Sequence, residues 1–390
     1  MISRTILHLD LDAFFCAVEE IQNSTLRGRA FAVGGSPDGR GVVSSCSYPA
    51  RRFGIHSAMP MARAVQLCPE LIILPGNHQL YGLYSRRVMG VLRELTDQVE
   101  QISIDEAFLD ISGLPGSPRD IGLSLQSTIL DEIGLPNSVG IASNKLVAKI
   151  ATDVGKLSSS GDAPPNALTI VPPGEEARFL APLPVKMLWG VGPKTADRLA
   201  VLGIETVGEL AAVPPLKLAD LLGKHGYDLS KRARGIDERP IMTERETKSV
   251  SKERTFRRDL GRKTDILQHL GRLSSKVSQR LQAKNLQGRT IQIKVRWSDF
   301  TTLTRQTTLA RSTADRELIQ RTSEKLFNQV WEQGRLVRLV GVGVSNLDPE
   351  VKQLGLWDPE VREDQQLNEA LQQLREKYGE DVIRRGFSGE

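Results

Sequence analysis

Two adjacent carboxylates, Asp105 and Glu106, interrupt an otherwise apolar, strand-like stretch over residues 99–111. Charges that are buried or half-buried in a strand are costly unless a partner compensates them. A divalent cation is one such partner, because hard cations prefer carboxylate oxygens. An acidic tip on an ordinary β-hairpin is the alternative, and this stretch alone does not distinguish the two. Other parts of the chain must supply further ligands if these acids form a metal site.

A second acidic pair lies near the start of the chain. Residues 6–12 alternate with a period of two, which predicts a strand with leucines on one face and His8, Asp10 and Asp12 on the other. Two carboxylates on one strand face are unusual unless that face meets a metal or a basic group. This strand is therefore the candidate partner of the first acidic pair.

Length and composition limit the possible classes of protein. A chain of 390 residues predicts two to four domains. No apolar run approaches the roughly 18 residues of a membrane span, and the first residues lack the apolar core of a signal peptide. Cys16, Cys46 and Cys68 form no CxxC pair, which favours reduced thiols over disulfides or a zinc site. We expect a cytoplasmic protein with no membrane partner.

Basic residues are concentrated in one segment. Residues 245–311 contain 17 Lys or Arg and 5 Asp or Glu, although the net charge of the whole chain is only +5. Periodicity around this segment predicts the order βαββαβ, with strands at 248–256, 290–297, 301–309 and 338–344, a helix at 264–284 and a capping box at 312–315 that begins a second helix. This combination favours a sheet laid against nucleic-acid phosphates. A solvated basic face without a partner is the alternative.

Two shorter motifs also indicate anion binding. Tyr48 and Arg51 stand at the start of a predicted helical turn, where arginine donors and the helix dipole favour polyphosphate. Residues 188–196 (LWGVGPKTA) resemble a helix-hairpin-helix, in which glycines let backbone N–H groups approach a DNA phosphate. An ordinary surface helix and a plain helical turn remain the respective alternatives.

The remaining sequence contains recognisable elements. It predicts strands at 30–33, 42–45, 71–74 and 139–142, helices at 16–22, 60–66, 79–95 and 144–156, a helical region at 166–234 and a polar tether at 232–245.

Three segments in this order resemble the Y-family translesion DNA polymerases, in the DinB or DNA polymerase IV branch: 9–15 (LDLDAFF), 48–54 (YPARRFG) and 103–110 (SIDEAFLD). The resemblance implies a multidomain α+β fold, namely a right-hand polymerase with an added βαββαβ little finger that grips DNA. The implied domains are a palm at 1–12 and 77–165, fingers at 13–76, a thumb at 166–232, a linker at 233–245, a little finger at 246–346 and a tail at 347–390.

The same resemblance assigns roles to individual residues. Asp10, Asp105 and Glu106 would be the catalytic acids and would hold two Mg²⁺ ions, assisted by the backbone carbonyl of Leu11. Asp12 would have a supporting role. The other implied groups are the triphosphate-binding residues Tyr48, Arg51, Lys156 and Ser45, the sugar steric gate Phe15, the DNA-phosphate contacts Gly190, Gly192 and Lys194, and the sliding-clamp peptide Gln353, Leu354, Leu356 and Trp357.

Three positions depart from the family pattern. Residues 157–160 (LSSS) follow Lys156 where a proline and a glycine-rich turn are more usual, and Trp189 replaces a commoner proline. Trp357 replaces a commoner phenylalanine in the clamp-like peptide. The first departure bears on the placement of Lys156. We expect Trp189 to alter packing more than activity, and Trp357 to be a tolerable aromatic exchange.

The resulting hypothesis is a monomeric, low-fidelity DNA polymerase that copies damaged primer–template DNA with dNTPs and associates with the nucleoid when it is on DNA. A catalytically silent adaptor between the clamp and repair proteins is the main alternative, and a two-metal nuclease is a weaker one. An adaptor has no reason to retain the mutually repelling acids Asp10, Asp105 and Glu106. A nuclease would leave Phe15 and the Tyr48 cluster without a role.

Overall fold

The computed structural model describes residues 4–158, 161 and 163–349. The chain divides into two compact units. The first comprises the residues up to Glu246 together with Phe256–Arg258, and the second comprises Thr247–Thr255 and the residues from Asp259 onward.

The first unit is built around a five-stranded sheet of order β5-β6-β1-β7-β8. Its strands are β1 (Ile6–Leu11), β5 (Val99–Gln101), β6 (Glu106–Asp110), β7 (Asn137–Ala142) and β8 (Leu168–Ile170). The central strand β1 pairs antiparallel with both β6 and β7, and β8 pairs parallel with β7. The predicted alternation of β1 is confirmed, and both of its faces are buried.

Helices cover both faces of this sheet. The leucine face of β1 packs in one core with α1 (Phe14–Gln22), α4 (His78–Leu95) and α5 (Pro118–Ile133). The opposite face, which carries His8 and Asp10, lies under α6 (Lys145–Ser158), whose Leu146, Val147 and Ile150 are buried as predicted. Helix α5 was not predicted from the sequence, although Ser117 caps it, Pro118 begins it and Gly134 ends it with a positive φ.

A smaller three-stranded sheet of order β3-β2-β4 follows α1 in the chain. Its strands are β2 (Phe31–Gly34), β3 (Val43–Cys46) and β4 (Ile72–Leu74), and its helices are α2 (Tyr48–Arg51) and α3 (Met61–Leu67). All three cysteines are buried free thiols.

The segment after β7 corrects one sequence-based expectation. Residues from 166 were expected to be helical, but β8 completes the main sheet through Ile170, because its backbone pairs with β7 from Val139 to Ile141. The helical part begins later, and its helices are α7 (Glu176–Leu180), α8 (Pro193–Ala200), α9 (Val207–Ala212), α10 (Pro215–Leu222) and α11 (Lys224–Ala233).

The second unit has the predicted order βαββαβ. Its elements are β9 (Ser249–Leu260), α12 (Lys263–Gln282), β10 (Leu286–Trp297), β11 (Thr302–Thr313), α13 (Arg316–Asn328) and β12 (Val337–Pro349). The antiparallel sheet has the order β11-β10-β12-β9. The predicted capping box at 312–315 is wrong, because Ser312 and Thr313 still belong to β11 and Asp315 alone caps α13 by accepting from Leu318 N–H at 2.7 Å.

Candidate active site

The two acidic stretches meet at one end of the main sheet. Asp10 on β1 lies directly opposite Glu106 on β6. The backbone N–H of Leu11 donates to the carbonyl of Asp105 at 3.0 Å, which ties the hairpin tip to the end of β1. The sequence-based expectation that the second acidic pair would supply a partner is therefore met by the register of the strands.

Ser103 shapes the hairpin tip that presents these acids. Its Oγ accepts from the backbone N–H groups of Asp105 at 3.2 Å and Glu106 at 3.0 Å, and it donates to the Asp105 carboxylate at 2.5 Å. The hydroxyl therefore replaces backbone partners that a tight turn cannot supply. Sequence reasoning assigned no role to Ser103, although a serine two residues before an aspartate in a turn is a recognisable signal.

Two lysines of α6 neutralise the acids. Lys156 Nζ lies 2.5 Å from Asp10 Oδ1 and 3.2 Å from Asp12 Oδ1, while Lys149 Nζ lies 3.0 Å from Glu106 Oε1. The lysines are seven residues apart, so two helical turns place them on the same face of α6. Lys156 was predicted to bind nucleotide, and the structure places it on the carboxylates. Lys149 was not predicted at all.

Burial and charge act in opposite directions on the two facing acids. Burial raises the pKa of Asp10 to about 7, despite the opposing charge of Lys156. Burial would also raise the pKa of Glu106, but His8 and Lys149 outweigh it and hold that pKa below its usual range. Burial lowers the pKa of His8 to about 4, so its imidazole is neutral at physiological pH.

Asp12 is fully buried and serves as an anchor beside the site. Its carboxylate accepts from Ser138 Oγ at 2.9 and 3.0 Å and from the backbone N–H of Asn166 at 3.1 Å. It also shares the Lys156 ammonium group with Asp10. These contacts agree with the supporting role expected for this residue.

Phe15 is held in a stack of aromatic rings at the start of α1. Its ring stacks on Tyr81 with centroids 4.2 Å apart, and it forms a T-shaped pair with the His78 ring with centroids 5.9 Å apart. The Tyr81 hydroxyl donates to Glu19 at 2.5 Å, which fixes the ring beneath Phe15. Ala13, in the left-handed conformation with φ of 46°, turns the chain sharply from β1 into this helix.

The predicted anion cluster lies beside the acids. The Arg51 guanidinium covers the Tyr48 ring at 4.5 Å, and Ser47 caps the short helix that carries both. Burial, followed by the charge of Asp12, raises the pKa of the Tyr48 phenol, which therefore remains a hydrogen-bond donor. A cleft of about 230 Å³ is lined by Asp12, Tyr48 and nine further residues. Ser45 lies buried in the adjoining strand β3.

The predicted helix-hairpin-helix has the expected local form. A short 3₁₀ turn at Val185–Met187 precedes Gly190, whose φ of 106° favours glycine, and Gly192 is the residue before α8. Lys194 is exposed on the first turn of that helix. Arg232 Nη1 donates to the Trp189 carbonyl at 3.0 Å and so braces the turn from α11.

A divalent metal is compatible with the acids. Within the described ranges, no group of three or more His, Cys, Asp or Glu side chains has a preformed metal-ligand arrangement. Asp10 and Glu106 each hold an ammonium group, so the pair attracts cations, and their oxygens are the ligands that hard divalent ions prefer. The clamp-like residues Gln353 to Trp357 lie outside the described residues.

Comparison with known proteins identifies the family. Residues 9–153 match the impB/mucB/samB family, 247–356 match the C-terminal domain of that family, and 173–204 match the IMS family HHH motif. DNA polymerase IV of Dehalococcoides mccartyi (strain CBDB1) is 41% identical over 387 residues, which cover 98% of this chain and 97% of that protein. The chain belongs to the Y family of DNA polymerases, in its DinB or DNA polymerase IV branch.

A further relative and a solved structure of similar fold support the assignment of this chain to the Y family. DNA polymerase IV of Streptomyces coelicolor is 45% identical over 88% of this chain and 71% of that protein. A Y-family DNA polymerase chimera of Dbh and Dpo4 has a TM-score of 0.79 at 26% identity and covers 88% of this chain and 98% of its own. These likenesses confirm the expected multidomain fold of a right-hand polymerase. No helix in the described part of the chain is long and apolar enough to cross a membrane.

Proposed function

We propose that this chain is a template-directed DNA polymerase of low fidelity that performs translesion synthesis on damaged primer–template DNA with dNTPs. Family membership supports the activity. The observation that supports the proposal at the level of individual residues is the position of Asp10 opposite Glu106, with Tyr48 close enough that, besides burial, the charges of Asp12 and Asp10 raise its pKa. Facing carboxylates next to an anion-binding cluster are the arrangement that nucleotidyl transfer requires.

Asp10, Asp105 and Glu106, with the backbone carbonyl of Leu11, would hold two Mg²⁺ ions. When bound, such ions lower the pKa of the attacking 3′-hydroxyl and stabilise the charge of the leaving pyrophosphate. The role of the protein is to keep the carboxylates at one edge of a rigid sheet. Ser103 does so for Asp105, and Lys149 balances the charge of Glu106.

Tyr48, Arg51, Ser45 and Lys156 would bind the triphosphate of the incoming dNTP. Arg51 supplies charge-assisted donors, and the protonated Tyr48 phenol supplies one more. Lys156 lies within reach of two carboxylates, so a divalent cation that binds Asp10 would compete with its ammonium group. The freed ammonium group would then be available to a phosphate.

Phe15 would exclude ribonucleotides by its shape. Steric exclusion of a 2′-hydroxyl needs a bulky ring that cannot move aside. The stack on Tyr81 at 4.2 Å and the Tyr81–Glu19 hydrogen bond restrict the Phe15 ring in this way. Because neighbouring side chains already hold the Phe15 ring in place, no reorganisation free energy is needed to position it during catalysis.

Two further regions would grip the DNA backbone. The N–H groups around Gly190 and Gly192, with Lys194, would contact one phosphate without reading a base. The sheet of residues 246–346 would lie against the duplex, with its open face presenting Lys294 and Arg296. The basic charge concentrated in residues 245–311 supports this role.

The domain assignment that follows is a palm at 1–12 and 77–165 extended by β8, fingers at 13–76, a thumb ending at 232, a linker at 233–245, a little finger at 246–346 extended to the end of β12 at Pro349, and a tail after it. We further propose that the protein acts as a monomer in the cytoplasm, near the nucleoid. Its free thiols suit a reducing compartment. Light scattering and cell fractionation test these two points, and a stable dimer or exclusion from the cytoplasm would contradict them.

Gln353, Leu354, Leu356 and Trp357 would form the peptide that docks on a ring-shaped sliding clamp. The glutamine would supply a hydrogen bond, and the apolar side chains would fill a pocket. Replacing Leu356 and Trp357 with alanine should reduce clamp-dependent synthesis only. An equal loss of synthesis without the clamp would contradict a docking role.

Primer extension on undamaged and lesion-containing templates tests the function itself. Purified protein should extend the primer with dNTPs and Mg²⁺ and should pass at least one class of lesion. No extension with either Mg²⁺ or Mn²⁺ would contradict the polymerase function and would favour the silent adaptor, which family membership does not favour. Cleavage of DNA without extension would indicate a nuclease.

A further inference from the structure

His8 is a buried polar residue outside the groups proposed to bind metal, nucleotide or DNA. It lies on the same face of β1 as Asp10, and none of its surface is exposed. Its Nδ1 lies 2.9 Å from Thr152 Oγ1 on α6, and its Nε2 lies 3.9 Å from Glu106 Oε2. Among the described residues, this Nε2 has no hydrogen-bond partner. An unpaired, fully buried nitrogen that faces a carboxylate requires an explanation.

Close packing of α6 on the sheet fixes this geometry. Gly140 on β7 lies directly beside His8 in the strand register. A Cβ atom at Gly140 would overlap the Ala148 carbonyl and lie 2.6 Å from Thr152 Oγ1, so only glycine lets the helix approach this closely. The Phe108 ring, with its centroid 4.8 Å from that of the imidazole, packs against His8 within the sheet. The imidazole is thereby confined between its two polar neighbours.

One tautomer of His8 satisfies both polar neighbours. The Thr152 hydroxyl has one proton, and in this tautomer it donates that proton to His8 Nδ1 at 2.9 Å in place of the carbonyls of Ala148 at 3.2 Å and His8 at 3.3 Å. Donation to Nδ1 leaves the single proton of a neutral imidazole on Nε2. A carboxylate attracts an N–H group and repels a bare nitrogen lone pair, so Glu106 favours the same proton position.

We propose that His8 is a positioning residue for Glu106, with its Nε2–H directed at the carboxylate and its tautomer set by Thr152. This inference rests on the proposed role of Glu106 as a metal ligand. The separation of 3.9 Å corresponds to a charge–dipole contact, which a small rotation of the carboxylate would convert into a hydrogen bond. Groups that orient a metal ligand commonly alter metal affinity or activity by about 10- to 100-fold when they are removed.

Nitrogen NMR of histidine-labelled protein tests the tautomer without any catalytic assay. Wild type should show His8 as a neutral Nε2–H imidazole. Thr152→Val, which keeps the shape of the side chain and removes its hydroxyl, should reduce the Nε2–H population, and Thr152→Ser should preserve it. A neutral Nδ1–H ring or a charged ring in wild type would overturn the proposal, as would no difference between the valine and serine variants.

Kinetics of His8→Phe and His8→Gln test the effect on Glu106. The phenylalanine keeps the packing on Phe108 without a donor, whereas the glutamine retains an N–H group. His8→Phe should lower kcat and raise the Mg²⁺ concentration for half-maximal rate by about 10-fold or more, with an unchanged Kd for DNA and partial rescue in His8→Gln. If His8→Phe does not fold, the Thr152→Val and Thr152→Ser pair gives the same comparison.

The outcomes separate this inference from the proposed function. Fully active His8→Phe protein with a wild-type Mg²⁺ dependence would overturn the positioning role and leave the polymerase function intact. An inactive wild-type protein would overturn the polymerase function, whereas the NMR result would still report the tautomer.

Discussion

Asp10 lies directly opposite Glu106 on the neighbouring antiparallel strand, and each acid has its own lysine from α6. One strand register and one helix face thus assemble a compact group of alternating charges. Because the acids sit on a buried sheet, their positions depend little on loop motion.

Lys156→Met should destabilise the protein and increase its response to Mg²⁺. Asp10 and the fully buried Asp12 would lose their shared cation, and breaking a buried ion pair costs about 3 kcal/mol or more. Mg²⁺ that binds only the folded state raises the stability of that state. In Lys156→Met, no ammonium group would compete with Mg²⁺ for Asp10. Thermal unfolding with EDTA or with Mg²⁺ measures both effects. The exposed Lys217→Met is the control. An equal Mg²⁺-induced shift of Tm in wild type, Lys156→Met and Lys217→Met would contradict this prediction.

Glu100→Gln should weaken the attachment of the linker to the main sheet. The Glu100 carboxylate, only 2% exposed, accepts from Lys145 Nζ at 2.7 Å, Arg245 Nη2 at 2.6 Å and the Met242 backbone N–H at 2.9 Å. Loss of this buried charge should cost about 3–5 kcal/mol of unfolding free energy at pH 7. Urea titration measures it, with the exposed Glu132→Gln as a control that should change little.

The same carboxylate gives a pH dependence of defined sign. Burial alone would raise the pKa of Glu100, but the hydrogen bonds from Lys145, Met242 and Arg245 outweigh it and lower that pKa. A lowered folded-state pKa stabilises the protein above the unfolded-state value of about 4.3, and this contribution is lost as pH falls through the folded-state pKa. The stability difference between wild type and Glu100→Gln should therefore shrink below pH 4.3. A stability difference that stays constant with pH would show that ionisation of Glu100 is not its source.

Phe15→Ala should increase ribonucleotide incorporation. Removing the ring that stacks on Tyr81 opens the space where a 2′-hydroxyl would lie, and it leaves the carboxylates unchanged. The ratio of kcat/KM for an rNTP to that for the matching dNTP measures the effect and should rise about 100-fold or more, a change of about 3 kcal/mol in discrimination. The buried neighbour Phe14→Leu should leave the ratio unchanged. An unaltered ratio in Phe15→Ala would exclude the gate role.

Arg296→Ala should flatten the salt dependence of DNA binding. Arg296 lies on the sheet face opposite α12 and α13, where its Nε donates to Thr302 Oγ1 at 2.8 Å. Each phosphate contact contributes about 0.9 to the magnitude of the negative slope of log K against log salt. The magnitude of this slope should therefore fall by about 1 in Arg296→Ala. Arg321→Ala on α13 is the control for the other face of this unit. The same decrease in both variants would contradict the assignment of the binding face.

Much of the fold could be predicted from the sequence, because its patterns are local. The alternation around Asp10, the βαββαβ order and the buried face of α6 all follow from hydrophobic periodicity. The start of the helical region at 166 was wrong because β8 is only three residues long, and only its pairing with β7 identifies it as a strand. A propensity carries little information over so few residues.

The residue types of the site could be predicted from the sequence, but the contacts between these residues could not. The facing of Asp10 and Glu106 depends on the strand register, which no local pattern specifies. Lys149 on Glu106 and Thr152 on His8 depend on how closely α6 approaches β7, and Gly140 sets that distance. A single glycine in a strand indicates close approach of another backbone, but it does not say which one. Three-dimensional packing supplies this information.

Single-nucleotide insertion by Glu106→Ala, with Glu132→Ala as the matched control, tests the central claim most directly. A metal site contributes several kcal/mol to the transition state, and each 1.4 kcal/mol is about tenfold in rate. The insertion rate of Glu106→Ala should therefore fall about 1,000-fold or more, with the Kd for primer–template DNA unchanged and Glu132→Ala fully active. Insertion by Glu106→Ala at a rate near that of wild type would contradict the assignment of the facing acids as the metal-binding catalytic pair.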